Sequence, residues 1–343
     1  MSDAADLAIV NFAEIATEDW RFVERFYTGP TARWTFYRNA PKNALERLVR
    51  KPSLARYRAA YEAAGDARRA SRALVVSHLP RATRALATAM RMRRATAPHV
   101  AFSFNFTDLP TGADRAAFAS AFARVERFVV YSTFERDLYA DYFDIDIDRI
   151  DRLDWAMETP PVADDAAMAS LDLPARPFIA AGGGEGRDYA TLIEAMRRLP
   201  DINLVLMCRP HNLARLAPPD NVRVHANLPA PLFWRVISDS RLSALPLRDD
   251  RTACGHITMI GAFRLGAPVV ATASRGVADY VGNGRAIVTP PGDPAALAAA
   301  IRAAFEDEAG LRAIAARARA FAETHCDPVR WARHIEEACR LLA

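Results

Sequence analysis

The stretch Cys254–Asp293 reads CGHITMIGAFRLGAPVVATASRGVADYVGNGRAIVTPPGD and alternates its signals in a fixed order. Gly255 can open a helix, and Ile257, Met259, Ile260, Ala262 and Phe263 give that helix a mostly apolar face. Gly266 ends it, and Pro268 forbids its continuation. Pro268–Thr272 is a short run of β-branched residues, the composition of a buried strand. A turn at Ser274–Gly276, a short helix at Ala278–Val281 and a second strand at Ala286–Thr289 follow. Helix, buried strand, helix, strand is the pattern of an open parallel α/β sheet. Ligands of such sheets lie at strand carboxyl ends and helix N-termini. The helix opening at Gly255, His256, Ile257 and Thr258 is therefore a candidate anion site.

The same grammar runs back to Pro177. Pro177–Ala181 is a strand, Gly182-Gly183-Gly184-Glu185-Gly186 a glycine-rich turn, and Thr191–Leu199 a helix. Such a turn lets backbone N–H groups approach a phosphate, although its spacing is not a dinucleotide fingerprint. Asn203–Cys208 is the next strand with Arg209 at its carboxyl end. Val222–His225 and Leu242–Leu247 are further strands, with a helix over Leu232–Ser238 between them. Arg209 has two readings, a salt bridge or a phosphate contact.

These segments resemble glycosyltransferases of the GT-B type, especially the family-4-like group 1 enzymes. The resemblance rests on Gly255, on Gly266-Ala267-Pro268-Val269-Val270-Ala271-Thr272, on the tail Pro291–Ile301, and on Gly183 through Ala195. It implies α/β architecture, with two Rossmann-like domains whose parallel sheets face a central cleft. It implies transfer of a sugar from a nucleotide-sugar donor, UDP- or GDP-linked, to a glycan or lipid-linked acceptor. On the matched positions Arg187 is the donor's phosphate ligand, with Gly183 and Gly184 beside it. The loop carrying Leu228 holds the base edge, and Asp249 or Asp250 faces the sugar hydroxyls. One position departs: Gly261 stands where the family has a glutamate for the donor ribose. That departure supports one alternative, a non-catalytic partner of the same fold; a sugar-nucleotide epimerase of similar double-Rossmann shape is the other. No trusted D-x-D motif is present, so the expected chemistry needs no metal and no cofactor.

The first half reads as a second set of alternating elements. Leu7–Phe12, Ala73–Ser77, His99–Phe106 and Arg127–Thr133 are strands, and Arg81–Arg94, Ala113–Val125 and Glu135–Phe143 are helices. Residues 38–70 read as a basic amphipathic helix split by Pro52. His78 and Asp108 lie just past strand ends, where chemistry concentrates in parallel sheets, and with Asp250 they are the candidate catalytic residues. His78 reads equally well as a structural histidine. The aromatic-rich stretch from Trp20 to Tyr37 reads as core packing or as an acceptor groove. The expected domains are 1–156, a proline-containing linker at 157–176, a nucleotide-sugar domain at 177–326, and a helix at 327–343 returning to the first domain.

Composition narrows the class further. The four cysteines show no C-x-x-C pairing, as in reduced cytosolic proteins. The N-terminus carries no secretory pattern, and no run of about 20 apolar residues is present. The net charge of +4 hides an asymmetry: between Arg38 and Arg94 fifteen Lys/Arg face three acids, a balance of +12 that leaves −8 for the rest of the chain. Such a cluster meets phosphates or anionic lipid. The expected location is cytoplasmic, with peripheral attachment to the inner face of the plasma membrane. No nucleic-acid module is recognisable, and no nucleic-acid partner is expected.

Overall fold

A computed structural model describes residues 7–14, 21–49, 53–248 and 253–340, and the chain divides into two units, 1–154 with 328–343, and 155–327. In the first unit the elements are β1 (Leu7–Ala13), α1 (Phe22–Phe26), β2 (Ala32–Arg38), α2 (Ala44–Leu48), α3 (Leu54–Arg69), β3 (Arg72–His78), α4 (Pro80–Arg93), β4 (His99–Phe102), α5 (Gly112–Phe122), β5 (Arg127–Val130), α6 (Thr133–Phe143) and β6 (Ile150–Arg152). They form one sheet of order β2-β1-β3-β4-β5-β6, parallel throughout. β1 is buried along its whole length, as a run without polar alternation requires. α3 turns Ala59, Ala60, Ala63, Ala64 and Ala67 towards Ala82, Ala85 and Ala89 of α4, and these small side chains allow the two helices to pack closely.

Several sequence expectations change here. The aromatic stretch holds a strand, β2, that the sequence reading lacked. β2 is only half-buried because it lies at the sheet edge. The helix read over 38–70 with a split at Pro52 is α2 and α3, each with a side-chain N-cap, Asn43 and Ser53. β4 stops at Phe102, where Ser103 takes φ 53°, and Phe104 and Phe106 turn inward onto Phe118, Phe122 and Phe143.

α6 begins with a buried capping box. Ser132 Oγ accepts from the Glu135 amide (3.2 Å), and the Glu135 carboxylate accepts from Ser132 Oγ (2.9 Å) and from the Tyr131 amide (3.2 Å). Burial outweighs these bonds and raises the Glu135 carboxyl from 4.5 to about 7. Between those values the folded chain holds a proton that the unfolded chain has released. Stability therefore falls as pH rises through that window. Glu135→Gln keeps the box, because Gln serves the same position, and removes the charge. We expect the melting temperature of the wild type to fall between pH 5 and pH 8 relative to the variant. Parallel curves from the two proteins would refute the assignment.

The second unit contains α7 (Asp165–Met168), β7 (Phe178–Gly182), α8 (Tyr189–Arg197), β8 (Asn203–Cys208), β9 (Val222–Ala226), α9 (Ala230–Asp239), β10 (Leu242–Leu245), α10 (His256–Leu265), β11 (Val269–Thr272), α11 (Ala278–Val281), β12 (Ile287–Thr289), α12 (Pro294–Glu306) and α13 (Glu308–His325). Its sheet is also parallel, of order β12-β11-β10-β7-β8-β9. Side chains alternate between its faces. Phe178 and Ala180 join the core with α9, α10 and α13, while Ile179 and Ala181 join the core with α8 and α12. Residues 157–176 belong to this unit and are not a free linker: Met157, Met168, Leu171 and Leu173 pack on its core, and the Ala163 amide donates to Pro231 O (3.0 Å).

The last helix, α14 (Pro328–Arg340), belongs to the first unit. Its Trp331 stacks on Tyr131 and meets Phe102 edge-on, and Glu336 accepts from the Thr28 amide (2.6 Å).

Candidate functional site

The order of the second sheet places a crevice before any side chain is considered. From β7 the chain moves outward to β8 and β9, and from β10 it moves the other way to β11 and β12. β7 and β10 are neighbours, so the direction reverses between them. The helices that follow them, α8 and α10, lie on opposite faces. This is the switch point at which open parallel sheets bind ligands.

The glycine-rich turn lies at that point. Gly183 has φ 115°, a conformation that glycine alone adopts without strain, and a Cβ there would also collide with the Arg187 guanidinium. Arg187 is 8% exposed. Its Nε donates to Gly182 O (3.1 Å), Nη1 to Glu185 O (2.7 Å) and Nη2 to Thr258 Oγ1 (3.0 Å). Among the described residues no carboxylate pairs with it, and burial holds its pKa below the usual arginine value. A desolvated cation without a counter-ion is costly, so this position favours an incoming anion.

Thr258 brings Arg187 to the first turn of α10. Gly255 caps that helix at φ 99° with no side-chain cap, which leaves first-turn amides without a side-chain acceptor. His256 is buried, and its Nε2 donates to Gly276 O (2.9 Å) while its ring packs on Tyr280. That imidazole therefore fixes the loop. Ile257 is 53% exposed at the helix start. Arg209 stands at the end of β8, against the bare Cα of Gly184, and its Nη1 is 2.7 Å from Glu185 Oε1. An exposed pair of this kind is worth about 0–1 kcal/mol and is readily exchanged for a ligand. Leu228 is half-buried against the core after β9, next to Asn227 at φ 53°. Asp249 and Asp250 lie outside the described residues.

Trp234 was not legible as a site residue. Its indole occupies the space over Gly261, where a Cβ would come within 3.0 Å of two ring atoms, Cη2 and Cζ3. The position that holds a carboxylate in the resembling family is thus covered by a ring.

Residues 181–307, wholly inside the second unit, match the family model described as Glycosyl transferases group 1. The second unit carries the match to group 1 glycosyltransferases. The whole chain shares its fold with solved structures. Anabaena Alr3699/HepE, solved with UDP, is 14% identical over 96% of this chain and 99% of that chain, with a TM-score of 0.72. A glycosyltransferase from Rickettsia africae ESF-5 is 13% identical over 99% of each chain, with a TM-score of 0.68. Sucrose-phosphate synthase from Thermosynechococcus elongatus is 16% identical over 98% and 99%, with a TM-score of 0.70. No curated protein matches the chain.

The second unit thus brings together Gly183, Gly184, Arg187, Arg209, Gly255 and Thr258 around one strand edge. In the first unit the expected catalytic pair separates by environment. His78 is 1% exposed, its Nε2 donates to Asn11 Oδ1 (2.8 Å), and burial lowers its pKa to about 3. It is a neutral ring bonding β3 to β1, with the nitrogen nearest Asn11 already committed. Asp108, beyond β4, is exposed.

Proposed function

We propose that the protein transfers a sugar from a nucleotide-sugar donor to a glycan or lipid-linked acceptor. The observation that carries this reading is Arg187, a buried cation that no carboxylate pairs with among the described residues, bonded to the first turn of a helix without a side-chain N-cap at the switch point. Breaking a sugar–diphosphate bond leaves negative charge on the departing phosphate. A preorganised guanidinium and helix amides stabilise that charge as it develops. The Anabaena protein has been solved with UDP and with UDP-glucose, so UDP-glucose is the first donor to test.

Positive charge supplied by Arg187 and α10 supports transfer without a divalent ion. We expect UDP release from UDP-glucose to depend on acceptor and to continue undiminished with EDTA. Loss of release on chelation would sink the metal-free reading. Failure of UDP to bind at all would favour a non-catalytic protein, the alternative that Gly261 and its covering Trp234 support.

The reading extends to peripheral attachment at an anionic membrane. No helix among the described residues is long and apolar enough to cross one. α2 instead exposes Leu45 and Leu48, at 60% and 82%, beside Arg47. Basic residues near an anionic surface add about 1 kcal/mol each, lost with salt. Co-sedimentation with anionic vesicles at low salt, reversed at high salt, is the expected result, and no sedimentation at low salt removes the idea.

A further inference from the structure

The basic excess between Arg38 and Arg94 is not confined to one edge of the first sheet. A cavity of about 390 Å³ opens at the amino edge, in the size range of small-molecule sites. Its walls are the last turn of α3, the loop from Ala70 to Ala73 that enters β3, and the segment from Arg94 to Pro98 that enters β4. β3 and β4 are neighbours in the sheet, and the Val75 amide donates to Pro98 O (2.9 Å), so the two loops are held side by side. Parallel sheets bind their substrates at the opposite, carboxyl edge, so the transfer reaction gives this cavity no task.

Arg68, Arg72 and Arg94 line it, all exposed, together with Thr96, and no acidic residue is among the described residues that line it. None of the three arginines makes an ion pair or a side-chain hydrogen bond among the described residues. Two carboxylates next to these segments are committed elsewhere. Asp66 accepts from the Tyr37 hydroxyl and pairs with Arg69, and Glu126 accepts from the His99 amide (2.6 Å). Basic residues at a helix C-terminus ordinarily offset the helix dipole, and α3 and α4 both end here. Those two ends carry about −0.5 charge each, so three guanidiniums leave a surplus of about two positive charges. Arg69, Arg91 and Arg93, in the same last turns, come on top of that. Arg94 also takes φ 56° just past α4, a left-handed position where glycine is the usual residue. What arginine adds there over glycine is a charged side chain beside the cavity.

We propose that this cavity is a phosphate-binding site, separate from the donor site, that takes a small phosphorylated ligand on Arg68, Arg72 and Arg94. Guanidinium groups bind phosphate oxygens through charge-assisted, often bidentate hydrogen bonds. A ligand held at this edge does not react; it stabilises the first unit by linkage. The phosphate belongs either to a soluble ester or to a lipid headgroup.

Full-length protein is titrated calorimetrically with inorganic pyrophosphate and sedimented with phosphatidylcholine vesicles with and without phosphatidic acid. Arg94→Gly is the main variant, because glycine keeps the left-handed position and removes only the charged side chain. It should melt no lower than the wild type and lose about tenfold in pyrophosphate affinity, the scale of one charge-assisted contact. Arg72→Ala, at the exposed start of β3, should lose a similar factor and guards against a folding defect in the first variant. Arg187→Met should retain this pyrophosphate site, because Arg187 belongs to the second unit. With the pyrophosphate loss in hand, sedimentation on phosphatidic acid that falls in Arg94→Gly identifies a headgroup, and sedimentation unchanged in that variant identifies a soluble ligand; both support the site. No pyrophosphate bound by the wild type, equal affinity in the wild type and both first-unit variants, or binding abolished by Arg187→Met overturns it.

Discussion

Arg187→Met is expected to weaken UDP binding by roughly 10- to 150-fold while leaving the unliganded protein as stable as before or more so. The affinity loss corresponds to about 1.5–3 kcal/mol, the range for hydrogen bonds to a charged group. The stability half follows from the missing partner. Removing one member of a buried ion pair costs several kcal/mol because it strands the other charge. Among the described residues Arg187 bonds two carbonyls and a hydroxyl and no carboxylate, so none of these partners is a charge left stranded. Methionine of similar length fills the space and relieves the desolvation of the guanidinium. Calorimetric titration with UDP and a thermal melt without ligand read the two halves separately. Unchanged affinity would show that the donor phosphates lie elsewhere. Lost affinity with a large drop in melting temperature would show a structural arginine.

Gly261→Glu, which restores the carboxylate of the resembling family, is expected to destabilise the second unit and not to improve donor binding. The Trp234 ring occupies the place that the new Cβ needs. Both residues are buried in the same core, so the ring has no open space to enter. Overpacking of this kind costs about 1–3 kcal/mol, and burying an unpaired carboxylate adds to it. A melting temperature lower by roughly 4–8 °C follows from about 2 kcal/mol in a unit of this size. Gly261→Ala should show the steric part alone. Wild-type stability in Gly261→Glu, or a gain in UDP affinity, would mean that Trp234 yields and that the glutamate site survives beneath it.

Much of the second unit was legible in the sequence because its signals are local. Val269–Thr272 and Leu204–Cys208 are apolar runs that only a two-sided parallel sheet buries, and Gly255, Gly266 and Gly183 mark turns through their own backbone freedom. The order of strands and helices followed from these, and with it the edge on which open parallel sheets bind ligands. β2 escaped because an edge strand is buried on neither side consistently, so Ala32–Arg38 carries no clear period. Residues 157–176 escaped because their apolar side chains fill gaps in another element's core and have no period of their own.

What only the tertiary structure decided is which distant residues share a space. Thr258 meets Arg187 across 71 positions, and His78 meets Asn11 across 67. The first contact turns a loop arginine into a buried cation at a helix start. The second turns a histidine at a strand end into a neutral core residue. Spacing along the chain fixes faces and edges, but desolvation depends on everything packed around a group. The desolvation of both side chains was therefore decided by the assembled sheets, as was the covering of Gly261 by Trp234.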